Sequence, residues 1–124
     1  MIPRRVFVFG AAGVLLQGGP MDRFGMFGKI LAKEGQRDAL VEILLEAARL
    51  LSPLPGCEIY VINVSPSEPD AVWVMEAWRT EADHDASLKM ESVRALIAKA
   101  RPLFAGGGES TRFVPVGGKG LPPG

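Results

Sequence analysis

Three side chains close together in the chain have the types and spacing to act on one ligand: Glu76, Trp78 and His84. His84 is the only histidine, and imidazole is the side chain whose ordinary pKa lets it take up a proton near neutrality. The plainer assignment is a partly exposed helix-start histidine bonded to Asp83 or to solvent. Glu76 stands two residues before Trp78, so on a strand both point to one side of the sheet. A carboxylate buried there needs a partner. That partner is either a bound ligand, with the cavity raising the carboxyl pKa, or an arginine such as Arg79 or Arg94. Trp78 is either core or the aromatic wall of a ligand cavity. Tyr60 and Asn63, from the preceding strand, and Ser87 and Met90, from the following helix, are candidates for the rest of that cavity.

The elements that must position these residues follow from periodicity and punctuation. Phe24 to Lys33 mixes aromatic, β-branched and alternating polar positions and reads as a first strand. From Gln36 to Leu51, Leu40, Leu44, Ala47, Ala48 and Leu51 recur at helical spacing. Ser52-Pro53 and Pro55-Gly56 stop that helix. Glu58 to Val64 and Ala71 to Arg79 are strand-like on either side of a turn-forming stretch, which predicts a hairpin. Thr80 can cap the next helix, with Glu81 and Asp83 in its first turn. That helix runs toward Phe104 with a buried stripe at Val93, Leu96, Ile97, Ala100, Leu103 and Phe104. Met90-Glu91-Ser92 is where it would bend or break, and Pro102 should kink or end it. Ser110 to Val116 is a last strand.

The order β-α-β-β-α-β is the split βαβ arrangement of a ferredoxin-like α+β fold, here one domain over 21–116. Residues 117–124 read as a flexible tail. Two helices cover one face of the sheet. The other face, carrying Tyr60 or Ile59 and Trp78 or Trp73, needs a second sheet, so a homodimer is expected.

Fourteen basic and fourteen acidic residues cancel, leaving no net field to draw nucleic acid or anionic lipid. The single cysteine, Cys57, rules out an intrachain disulfide, and one histidine with one cysteine cannot build a zinc or iron cluster. No metal and no cofactor are expected. Gly106-Gly107-Gly108 lacks the Lys-Ser/Thr of a phosphate loop, and no Gly-x-Ser-x-Gly occurs. In residues 1–20, Arg4 and Arg5 precede an apolar run from Val6 to Leu16 that is too short to span a membrane. It reads as an upstream extension or misassigned start, as a signal peptide, or as an added strand. The working expectation is a cytoplasmic protein with no membrane partner.

The run Glu76-Ala77-Trp78-Arg79-Thr80-Glu81-Ala82, followed by His84-Asp85-Ala86-Ser87-Leu88 and Val93-Arg94-Ala95-Leu96-Ile97, resembles quinol monooxygenase-like members of the antibiotic biosynthesis monooxygenase superfamily. Pro55-Gly56-Cys57-Glu58 resembles its helix-to-strand turn, and the likeness spans Phe24 to Val116. It implies a dimeric α/β barrel and cofactor-independent oxidation of a quinol or aromatic polyketide-like phenol by dioxygen. Members oxidising polycyclic phenols carry an asparagine, a tryptophan four residues on and a tyrosine six further; here those places hold Val74, Trp78 and His84. The resemblance thus implies substrate contact for Trp78, while His84 as a replacement proton acceptor is inferred from its chemistry. Relatives resembling the quinol-oxidising branch place a histidine nine residues after the tryptophan, where Ser87 stands. Haem-degrading members use an asparagine on strand one with a tryptophan and a histidine on the second helix. This sequence has no Asn between Phe24 and Lys33 and no Trp between Glu81 and Phe104. A non-catalytic dimeric module that binds a small apolar ligand, or serves in stress, is the alternative. A sealed, leucine-filled space beside Trp78 would favour it.

Overall fold

Strict alternation makes β1 (Phe24–Leu31) a two-sided strand, with Phe24, Met26, Gly28 and Ile30 on one side and Gly25, Phe27, Lys29 and Leu31 on the other. The computed structural model describes residues 22–106 and 108–122. The expectations for residues 1–20 therefore lie outside the described residues. After β1 come α1 (Arg37–Leu51), β2 (Cys57–Ser65), β3 (Glu68–Trp78), α2 (Glu81–Ser87), α3 (Glu91–Ala100) and β4 (Glu109–Phe113). The strands form one antiparallel sheet in the order β2-β3-β1-β4, which is the expected ferredoxin-like topology.

Of the boundaries that differ from expectation, three have local reasons. β1 ends at Leu31 as the chain leaves the sheet: the Ala32 amide still donates to the Asp70 carbonyl of β3, but Ala32 already bridges Phe104 and the Lys33 amide donates to the Leu103 carbonyl. The second helix breaks at Leu88–Met90, where Met90 is extended, and restarts at Glu91. β4 stops at Phe113, ahead of Pro115, which has no amide to donate. The Thr80 cap forms as expected, its hydroxyl accepting from the Asp83 amide at 3.1 Å.

The helices bury one sheet face in two clusters. Phe24, Leu51, Trp78 and Val93 form one, and Ala32, Leu40, Val72 and Ala100 the other. In register, Trp78 lies between Phe24 and Cys57, Glu76 between Met26 and Tyr60, and Val74 between Gly28 and Ile62. A bulge at Glu58 lets Cys57 and Tyr60, three residues apart, both pack on the helix side. Trp78 is thus the tryptophan under the helices.

Trp73 belongs to the opposite face, where it stacks on Phe27 at 5.2 Å between ring centroids and Lys29 lies over it. Val61 (46% exposed), Met75 (44%) and Phe113 (51%) are uncovered there. At one end of the sheet the Arg23 guanidinium donates to Glu58 (2.8 Å) and to the Pro122 carbonyl (2.6 Å), with both charged side chains nearly fully buried. Among the described residues no helix is long and apolar enough to cross a membrane.

Candidate functional site

The end of β3 and the first turn of α2 converge because Arg79 and Thr80 are the only residues between them. That short connection brings His84 back over Trp78 and Phe24. The imidazole lies 4.5 Å from the Phe24 ring and meets Trp78 edge-on at 5.7 Å, with 81° between planes. Trp78 is 1% exposed, and its indole Nε1 donates to Glu76 Oε1 at 2.9 Å. The same Glu76 oxygen stands 3.8 Å from His84 Nε2, while His84 Nδ1 lies 3.0 Å from Asp85 Oδ1. A carboxylate only accepts, so Nδ1 carries the hydrogen toward Asp85 and Nε2 is left for the cavity and Glu76.

Glu76 therefore finds its partners in an indole and an imidazole, not in Arg79 or Arg94; Arg79 instead lies 3.9 Å from Asp83. His84 is bonded to Asp85, not Asp83, and only 12% of its side chain is exposed.

These groups form the polar end of a cavity of about 180 Å³ between sheet and helices. Ile43, Leu44 and Ala47 of α1 and Val93, Leu96 and Ile97 of α3 supply its apolar walls, and Tyr60, Glu76, Trp78, His84 and Ser87 also line it. Burial first, then the Glu76 carboxylate, hold the Tyr60 phenol far above its ordinary pKa. Tyr60 is thus a hydrogen-bond donor at any working pH and not a base. The Ser87 hydroxyl is engaged by its own helix, donating to the His84 carbonyl at 2.6 Å.

Of the seven expected site residues, five come together. Met90 caps α3 and packs on the Phe24–Trp78 cluster without lining the cavity. Asn63 pairs in register with Trp73 and bonds the Trp73 and Val61 carbonyls, on the sheet face away from the helices. The reason is parity: it stands three positions along regular strand from Tyr60, so the two cannot share a side. Phe24 was not foreseen in the site, and neither was Arg112, which stands over Phe24 at 4.8 Å and pairs with Glu81 at 2.8 Å. Only the β1–β3 and β1–β4 registers bring them there, and no local pattern announces either. Among the described residues no three of His, Cys, Asp and Glu gather as a metal-ion set.

The antibiotic biosynthesis monooxygenase family model matches residues 23–99. A solved structure from Chloroflexus aurantiacus, provisionally named an antibiotic biosynthesis monooxygenase, is 46% identical over 81% of this chain and 99% of its own, with a TM-score of 0.74. A similarly named structure from Caulobacter crescentus is 17% identical over 82% and 96% of the two chains, TM-score 0.73. One of unknown function from Bacteroides thetaiotaomicron is 16% identical over 75% and 97%, TM-score 0.67. At these lower identities the likeness concerns the fold alone. No curated protein matches the chain.

Proposed function

Because the chain belongs to the antibiotic biosynthesis monooxygenase family, we propose that it oxidises a quinol or polyketide-like phenol with dioxygen, without a cofactor. The observation that carries this reading is the placement of His84 on the wall of an apolar cavity, with Asp85 orienting one ring nitrogen and Glu76 beside the other. Leu44, Leu51, Leu88 and Leu96 are among the walls of the space beside Trp78, and Tyr60, Glu76 and His84 bring titratable groups to it.

Amino-acid side chains lack redox chemistry of their own, so the electrons for dioxygen come from the substrate. His84 Nε2 takes the phenolic proton, and the phenolate so formed is electron-rich enough to pass an electron to dioxygen. The resulting imidazolium pairs with Asp85 and Glu76. Over the whole reaction a hydroquinone gives four electrons to one dioxygen. One oxygen atom is retained on the ring, giving a hydroxyquinone, and the other leaves as water with two substrate hydrogens. Trp78 holds the ring from the side, Tyr60 donates a hydrogen bond to its oxygen, and the apolar walls exclude water that would solvate the phenolate.

We also assign the uncovered sheet face to a homodimer. Trp73, Phe27, Met75, Val61 and Phe113 form an apolar surface on that face, which a second copy related by a two-fold axis would bury. The test of the activity is oxygen uptake with simple hydroquinones and dihydroxynaphthalenes, chelator present and no flavin added. A wild type that binds these phenols yet consumes no oxygen would make the protein a binding module.

A further inference from the structure

The His84 imidazole is held to the sheet by packing and not by hydrogen bonds. It bonds Asp85 on its own helix, Glu76 stands at 3.8 Å, beyond hydrogen-bond reach, and the ring packs on Phe24 and Trp78. Its pose therefore follows the docking of α2. That helix has seven residues, of which only Ser87 is buried, and it is well short of the roughly 12–15 residues a helix needs to persist alone. Its place is set by what touches it from outside.

α2 meets the rest of the domain toward both edges of the sheet. Beside β2, Asp83 closes on the Pro55-Gly56 turn so tightly that a Cβ at Gly56 would lie 2.6 Å from its carboxylate. The other edge is β4, which pairs with β1. In register Arg112 faces Met26, on the helix side of the sheet, and so lies diagonal to Phe24. From there its guanidinium covers the Phe24 ring at 4.8 Å and reaches Glu81 Oε1 at 2.8 Å. Glu81 stands three residues before His84, a neighbour on the helix surface, and Phe24 is the ring on which His84 rests. One side chain thus touches both supports of the imidazole. Both members of the ion pair are more than half exposed, an arrangement that adds little to global stability. Its effect is local, on the seat of α2.

We propose that Arg112 is a positioning residue for His84: by pairing with Glu81 while lying over Phe24, it clamps α2 to the edge strand and fixes the imidazole in the cavity wall. The proposal rests on the reading of His84 as the base, and the experiment separates the two. Because His84 is the only histidine, protein without a histidine tag gives a single set of imidazole carbon–proton signals in the magnetic resonance spectrum, displaced by the ring currents of Phe24 and Trp78. These signals report the pose with no substrate present. In Arg112→Ala they should lose a large part of that displacement. In oxygen uptake kcat should fall about tenfold with KM within about twofold, since misplacing a reacting group by about 1 Å can cost about a hundredfold. Glu81→Gln breaks the same clamp from the helix, which keeps the test open if Arg112→Ala folds poorly, and the two effects should not multiply in the double variant. Arg112→Lys keeps the charge but not the flat guanidinium and should restore only part of both readouts. Folded variants with the His84 signals in their wild-type place, fully multiplying effects, or shifted signals with unchanged kcat would overturn the proposal. Signals that shift in the variants of a protein whose wild type takes up no oxygen would leave the clamp standing and remove the base.

Discussion

Removing the Glu76 carboxylate should cost stability through Trp78 and cost activity through His84, and the two losses can be separated. Glu76→Ala leaves Trp78 Nε1–H, in a side chain 1% exposed, without the acceptor it now has at 2.9 Å. A hydrogen bond to a charged group contributes about 1.5–3 kcal/mol, and an orphaned buried donor costs about as much. In a domain of this size a loss of about 2 kcal/mol lowers Tm by roughly 8–16 °C. Glu76→Gln keeps an acceptor in the same place and gives up only the charge assistance, so its loss should be nearer about 1 kcal/mol. Trp78→Phe removes the donor while keeping a ring. In that background Glu76→Ala should cost little, giving a coupling of about 1.5–3 kcal/mol between the two positions. The assay is urea unfolding of the four-member cycle at one fixed protomer concentration, since association contributes to apparent stability. Equal costs of Glu76→Ala in both backgrounds would refute the hydrogen bond as the link. If Glu76→Gln folds as wild type but takes up oxygen more slowly, the carboxylate acts on His84 as well as on Trp78.

His84→Ala should lower kcat by about a hundredfold to ten-thousandfold, the usual loss on removing a general base, with the dimer intact; unchanged turnover would take the histidine out of the mechanism. Trp78→Leu should chiefly raise KM, and because the ring is buried it should also destabilise, by less than the about 3–5 kcal/mol of a tryptophan-to-alanine truncation. Light scattering should give twice the chain mass for wild type and the single mass for Met75→Lys, and a monomeric wild type at micromolar concentration would end the dimer assignment. Burial first, then Glu76 and Glu58, push the Cys57 thiol up from 9.0 to about 11, so the folded state holds this proton more tightly than the unfolded chain. The stability so gained is complete below pH 9 and lost as pH rises through about 11. The urea midpoint should fall across that window, and less steeply in Cys57→Ala; a rising midpoint would contradict the sign.

The order of elements was legible because alternation, helical spacing and Pro/Gly stops agree locally from Phe24 to Phe113. The pairing of Glu76 with Trp78 on one side was legible for the same reason. Parity is only relative, however, and could not say which tryptophan lay under the helices or which of Tyr60 and Asn63 joined the site. Those answers depend on the Glu58 bulge and on β1 lying between β3 and β4. The apolar walls at Leu44, Val93 and Ile97 were visible as helix stripes, but a stripe reads the same whether it meets a side chain or a substrate. The helix break was expected two residues late, because nothing in the side chains of Leu88 and Lys89 forbids a continued turn.

The Arg23–Glu58–Pro122 contact has a consequence for the speed of folding. Its last member is 99 residues from its first, and such closures come after local hairpins and helices, since the entropy of a long loop must be met before the contact gives anything back. An interaction completed after the rate-limiting step leaves the folding rate alone and appears in the unfolding rate. Arg23 thus acts as a late fastening on a sheet already assembled, and Arg23→Met should steepen loss of the folded state in the unfolding limb of a chevron while the refolding limb stays in place.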